Sequence, residues 1–142
     1  MVTINPYLNF NGKSEEAFKF YQSVFGGELA MHRFADTPEA SKIPESDLTK
    51  LMHVSLQLGN NFLMASDTME SMGHKLNPGN NFNISVNTDS KEEAKKIFNA
   101  LAEGGTVKMD LQDTFWGSYF GMLEDKFGIH WMVDHSMVDH HS

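Results

Sequence analysis

The feature that most constrains this chain is an internal echo. Ser14-Glu15-Glu16-Ala17 opens an apolar-periodic run that ends near Gly26-Gly27. Lys91-Glu92-Glu93-Ala94 opens a second run 77 positions further on, and it ends near Gly104-Gly105. Each run follows a strand-like segment, Ile4 to Phe10 in one case and Phe82 to Thr88 in the other. Solenoid repeats recur at roughly 20–50 residues, so this longer period indicates two halves of one domain.

The helical stripes agree with that reading. Ala17, Tyr21, Val24 and Phe25 share one face of the first run, broadened by Phe18 and Phe20. Ala94, Ile97, Phe98 and Leu101 repeat the pattern in the second. Ser90 followed by Glu93 predicts a capping box, in which each side chain satisfies a free backbone N–H. The paired glycines after each run suit the left-handed position that ends a helix.

Strand signals follow each helix. A second strand holds His32. Leu51 to Leu58 alternates, with Met52, Val54, Leu56 and Leu58 on one face and His53, Ser55 and Gln57 on the other. Gly59-Asn60-Asn61 predicts a turn, with Phe62 to Ser66 returning. Thr106 to Leu111, Gly117 to Glu124 and Ile129 to Asp134 are the strands of the second half, the last two joined by a turn at Asp125-Lys126-Phe127-Gly128. The fold class is α+β, a βαβββ module occurring twice by duplication. The domain spans residues 1–135, its first module about 1–70 and its second about 80–135, with 136–142 a flexible tail that repeats Met-Val-Asp-His. Two loops, Asp36 to Asp47 and Thr68 to Asn80, are long enough to cover a pocket or to serve as plain connections.

Composition narrows the function. With 11 basic and 19 acidic residues the formal net charge is -8, which disfavours nucleic acid and anionic lipid as partners. No apolar run reaches the roughly 18–20 residues that span a bilayer. The start lacks the pattern of a secretory signal, so the expected location is cytoplasmic. The absence of cysteine excludes disulfides, thiolate metal sites and a cysteine nucleophile.

The stretch DTFWGSYFG from Asp113 to Gly121, followed by DKFG from Asp125 to Gly128, resembles the final hairpin of PhnB-like proteins. These form a branch of the glyoxalase/bleomycin-resistance/extradiol dioxygenase (vicinal oxygen chelate) superfamily. The opening Asn5-Pro6-Tyr7-Leu8-Asn9-Phe10, the pair Phe20-Tyr21 and the segment Leu63-Met64-Ala65-Ser66-Asp67 resemble the same family. The resemblance implies paired βαβββ modules whose curved mixed sheets enclose a cleft, and a homodimer.

Catalytic members of that superfamily hold a divalent metal through His and Glu side chains on the first and last strands of each half. Carried over by position, those ligands fall at Pro6, Met64, Asn81 and Met132. None is a His or a carboxylate, so no metal of the glyoxalase type, and no other cofactor, is expected. Tyr7 would enter the set with a shift of one residue and His130 with a shift of two. A metal-dependent lyase, isomerase or dioxygenase is therefore the lesser alternative.

The family label 3-demethylubiquinone-9 3-methyltransferase suggests a methyltransferase, but no Gly-rich turn joins a strand to a helix to seat an adenosyl cofactor. A non-catalytic dimeric interaction module is the remaining alternative.

Spacing alone assembles no nucleophile–base set. His53, His130, Asp67 and Asp113 are single candidates for a base, and solvated, turn or cap roles are commoner for such residues. Aromatic walls with a few polar tips suit a small-molecule cleft. Tyr7, Asn9, His53, Phe115, Trp116, Tyr119 and Trp131 are the cleft candidates, with core or interface packing as the alternative for each aromatic. The leading expectation is a small-molecule-binding protein without the superfamily's catalytic metal.

Overall fold

The computed structural model describes residues 2–69, 71 and 73–136. Of the tail read as 136–142, only Ser136 is described, and the second Met-Val-Asp-His block lies outside the described residues. The chain divides into two compact units, Met1–Asn77 and Pro78–Ser142.

In the first unit the order is β1 (Tyr7–Phe10), α1 (Ser14–Phe25), β2 (Glu28–Arg33), β3 (Leu51–Leu58) and β4 (Asn61–Asp67). The sheet runs β1-β4-β3-β2. Only β1 is parallel to its neighbour. Strand β1 is shorter than expected. Pro6 has no N–H to extend a ladder, although its carbonyl still accepts from the Met64 N–H at 3.1 Å.

Helix α1 buries Ala17, Phe18 and Tyr21. Beneath it lie Leu8, Phe10, Val54, Leu56, Leu63 and Ala65, all buried. Burying a side chain of the Phe class contributes about 1.5–3 kcal/mol, so this face fixes the sheet's register. Val24 and Phe25 are only half-buried at the helix end.

The clean alternation expected for β3 breaks at its start. His32 pairs with His53 but Arg33 pairs with Leu51, which leaves Met52 as the extra residue of a bulge. Leu51 takes the core position and Met52 is 40% exposed.

The second unit repeats the plan with β5 (Ile84–Asn87), α2 (Lys91–Ala102), β6 (Thr106–Asp113), β7 (Ser118–Glu124) and β8 (His130–Ser136). Its sheet runs β5-β8-β7-β6, again with only the first strand parallel to its neighbour. The duplication is therefore a duplication of topology, and both helices are 12 residues long.

Ser90 caps α2 through the Glu93 N–H at 3.0 Å, as expected. The reciprocal bond is displaced by one residue, since Glu93 accepts from Asp89 N–H rather than from Ser90. Gly121 on β7 leaves room for the Phe98 ring, which a Cβ would meet at 2.8 Å.

The units differ most between the second and third strands. The second unit joins β6 to β7 by the tight Thr114–Gly117 turn, closed by Gly117 N–H to Thr114 O at 3.2 Å. The first unit instead passes through three 3₁₀ turns, Phe34–Asp36, Ala40–Lys42 and Glu45–Asp47. This connection, long enough to cover a pocket or to serve as a plain link, is locally ordered. Asp47 is buried at its end and accepts from the Ser71 hydroxyl and from Lys50.

Candidate functional site

Each sheet has one face under its helix and one face turned away from it. Alternation assigns the residues. In the first unit Leu8, Val54 and Ala65 face α1, so Tyr7, Asn9, His53, Ser55, Met64 and Ser66 point to the other side. Tyr7 stands opposite Met64, Asn9 opposite Ser66, and His53 opposite His32.

The Tyr7 hydroxyl lies 3.2 Å from His53 Nδ1 and hydrogen-bonds to it. Their rings are 5.8 Å apart at 33°. The His32 ring stacks on the other side of His53, 6.5 Å away at 22°. Sequence reasoning named Tyr7, Asn9 and His53, and the fold brings them to one face. It did not assign His32 a partner. The signal that could have found one is the antiparallel pairing of β2 with β3, which requires a register that short strands do not reveal.

The second unit's open face has another chemistry. Met109, Met122 and Met132 stand in register across β6, β7 and β8, with Ser85 beside Met132 on β5. Thioethers are polarisable and adapt to irregular apolar surfaces. At one end His130 Nε2 lies 3.2 Å from Glu124 Oε1, so His130 already has a carboxylate partner.

The remaining candidates separate. Trp131 is in the core, and its indole N–H donates to the buried carboxylate of Asp125 at 2.8 Å. The expectation that Trp131 lines a cleft therefore gives way to a packing role, because it alternates onto the helix-covered face. Tyr119 also lies on the helix side, beneath Lys91 and Lys95, whose ammonium groups sit 5.0 and 6.0 Å from its ring centre. Phe115 and Trp116 occupy the tip of the Thr114–Gly117 turn, 97% and 51% exposed, with their rings edge to face at 5.1 Å.

Two of the single candidates for a base already have partners. Asp67 is buried and accepts from backbone N–H groups. Asp113 pairs with Lys91 at 3.0 Å. Sequence reasoning missed Asp47 and the core role of Asp125, whose carboxylate also accepts from Phe127 and Ile129 N–H at 2.8 and 3.1 Å.

The strand pairings locate the positions carried over for a metal. Pro6 precedes β1 and Asn81 precedes β5. The open-face neighbours of Met64 and Met132 are Tyr7 and Ser85. Neither the carried-over positions nor these strand partners hold a His or carboxylate, so they do not fit a divalent ion of the glyoxalase type. Among the described residues no three His, Asp or Glu side chains gather to hold a metal.

Two βαβββ units with mixed sheets are the duplicated glyoxalase/bleomycin-resistance fold, and the family match and similar structures put the chain in its PhnB-like branch. The chain belongs to the family described as 3-demethylubiquinone-9 3-methyltransferase, whose model matches residues 2–134. Its relatives include protein YjdN of Escherichia coli K12, 31% identical over 92% of this chain and 93% of the relative.

Among solved structures, protein PA1353 from Pseudomonas aeruginosa is 45% identical, with a TM-score of 0.86 over 96% of this chain and 98% of that one. A putative 3-demethylubiquinone-9 3-methyltransferase, PhnB protein, from Bacillus cereus is 25% identical, with a TM-score of 0.75 over 95% of this chain and 100% of that one.

Proposed function

We propose that the protein binds a small organic molecule on the open face of the first unit's sheet, around Tyr7 and His53. The observation that carries this is the hydrogen-bonded Tyr7–His53 pair, held on a face that α1 does not cover. A phenol and an imidazole in contact offer donors, acceptors and aromatic surface at one point, which is what orients a small ligand. Asn9 and Ser66 add polar groups beside them, the Ser66 hydroxyl lying 3.5 Å from Asn9 Oδ1.

The ligand binds without a glyoxalase-type metal, since the corresponding positions lack donors of the required kind. This reading also sets aside a methyltransferase activity for the chain, because the turn between β1 and α1, Asn11-Gly12-Lys13, is too short and too poor in glycine to cradle an adenosyl cofactor. A homodimer, a cytoplasmic location and no nucleic-acid partner complete the proposal. They are supported by the family resemblance and by the formal charge of -8. Among the described residues no helix is long and apolar enough to cross a membrane.

A thermal-shift screen of metabolites and drugs tests the reading. A ligand at ~100 times its dissociation constant adds about 2.7 kcal/mol of stability. Tyr7→Phe and His53→Asn should reduce the shift of a true ligand while leaving the unliganded melting temperature nearly unchanged. An undiminished shift in both variants would move the site elsewhere.

A further inference from the structure

We propose that the open face of the second unit's sheet is a separate binding site for an organic amine, an ammonium group carried on an apolar body. The site goes beyond the ligand of the first unit and shares no residue with Tyr7, Asn9 or His53.

Strand pairing sets the face out in rows. Met109, Met122 and Met132 are direct partners across β6, β7 and β8. Neighbouring strands lie about 4.8 Å apart, so the three thioethers cover a strip on the order of 10 Å wide. Met109 is 39% exposed, and Met122 and Met132 are half-buried. Two residues along β7 in one direction stands Glu124, opposite His130. Two residues in the other direction stands Phe120, whose ring meets that of Trp116 edge to face at 6.0 Å. Each step is roughly 7 Å. An apolar strip therefore has a carboxylate at one side and aromatic rings at the other.

The charge on this face decides the ligand class. Its paired positions carry two carboxylates, Glu124 and Asp134, and the His130 imidazole, but no Lys or Arg. Lys108 falls in the irregularity of β6 between Val107 and Met109, outside the pairing. The imidazole engages Glu124 through Oε1, at 3.2 Å. The Glu124 side chain is still 36% exposed, so its carboxylate can take a second partner from solvent. An ammonium group gains a charge-assisted hydrogen bond there, whereas an anion is repelled. The apolar body of the amine then lies along the thioethers, whose polarisable sulfurs also favour contact with an aromatic ring.

Methyl resonances test the site in the intact protein. Protein labelled at the methionine methyl carbons is titrated with phenylbutylamine, and with phenylbutanol and phenylbutyrate as its uncharged and anionic counterparts. Single Leu substitutions assign the signals. The signals of Met109, Met122 and Met132 should move with the amine, which should bind roughly fivefold tighter than the alcohol, with the acid weaker than both. Glu124→Gln keeps an acceptor for His130 and should bring the amine down to the affinity of the alcohol. Equal binding of the three probes, shifts confined to other methionines, or shifts that follow protein concentration instead of amine, as a second copy on this face would give, would each overturn the proposal. Tyr7→Phe and His53→Asn should leave these shifts unchanged, so this site and the first unit's site can fail separately.

Discussion

The carboxylate of Asp67, at the end of β4, accepts a hydrogen bond from the backbone N–H of Ser14 at 3.0 Å. Its other oxygen accepts from Leu51 N–H at 2.9 Å. One buried side chain therefore ties together the first turn of α1, the start of β3 and the end of β4. A negative group at a helix N-terminus also meets the favourable end of the helix dipole. Asp67→Ala should cost about 1–3 kcal/mol for each N–H left buried without a partner. Urea unfolding measures it. A loss no larger than that of Asp113→Ala, which removes only a surface pair, would refute the bridging role.

Glu15 makes the folded state sensitive to acid. Hydrogen bonds from Arg33, at 2.9 Å, and Lys19, at 3.0 Å, hold its carboxyl down from its ordinary value of 4.5 to about 2. A carboxyl lowered in the folded state stabilises it above the unfolded value, and the stabilisation is lost as pH falls from about 4.5 towards 2. The pair is partly exposed, so solvent screening limits the effect to about 1 kcal/mol. Glu15→Gln should flatten the pH dependence of stability in that window and leave its neutral-pH slope unchanged. Equal acid sensitivity in parent and variant would show that Glu15 is not responsible.

Asp47 anchors the 3₁₀ connection to the segment after β4. The Ser71 hydroxyl and Lys50 lower its carboxyl below the usual carboxylate range. The tie is present at neutral pH and weakens as acid protonates Asp47. Ser71→Ala should raise amide exchange between residues 36 and 50 at neutral pH, and hydrogen-exchange mass spectrometry reads it directly. Unchanged protection there would mean that the connection is held by its own turns.

Gly105 has no space for a side chain. A Cβ there would collide with the Glu124 carbonyl, and Gly27 stands in the same relation to Gln57. Gly105→Ala should destabilise by about 1–3 kcal/mol, as overpacking against backbone does. Gly79→Ala, where a Cβ meets open space, serves as control in the same denaturation experiment. Equal effects would remove the steric explanation.

The sequence was readable where one residue's neighbours are local. The two helices, the Ser90 cap and the Asp125–Gly128 turn depend on contacts within a few positions, and periodicity reveals them. What depends on strand pairing was not readable. The bulge at Met52, the pairing of His32 with His53 and the burial of Asp47 arise from partners tens of residues away, or from a register set by the core. Trp131 shows the same limit from the other side. It was grouped with the cleft aromatics because an aromatic on a strand suits either face. Its alternation with Met132, and the Asp125 carboxylate that takes its indole N–H, decide for the core.

The row formed by Met109, Met122 and Met132 carries a consequence for how such a protein changes over time. Unbranched side chains with several rotatable bonds remodel a surface by rotation alone, with no movement of the strands beneath. The second unit therefore presents a face whose contour is set by rotamers. New shapes can be accommodated there by single substitutions while the fold, and the polar face of its sister unit, stay as they are.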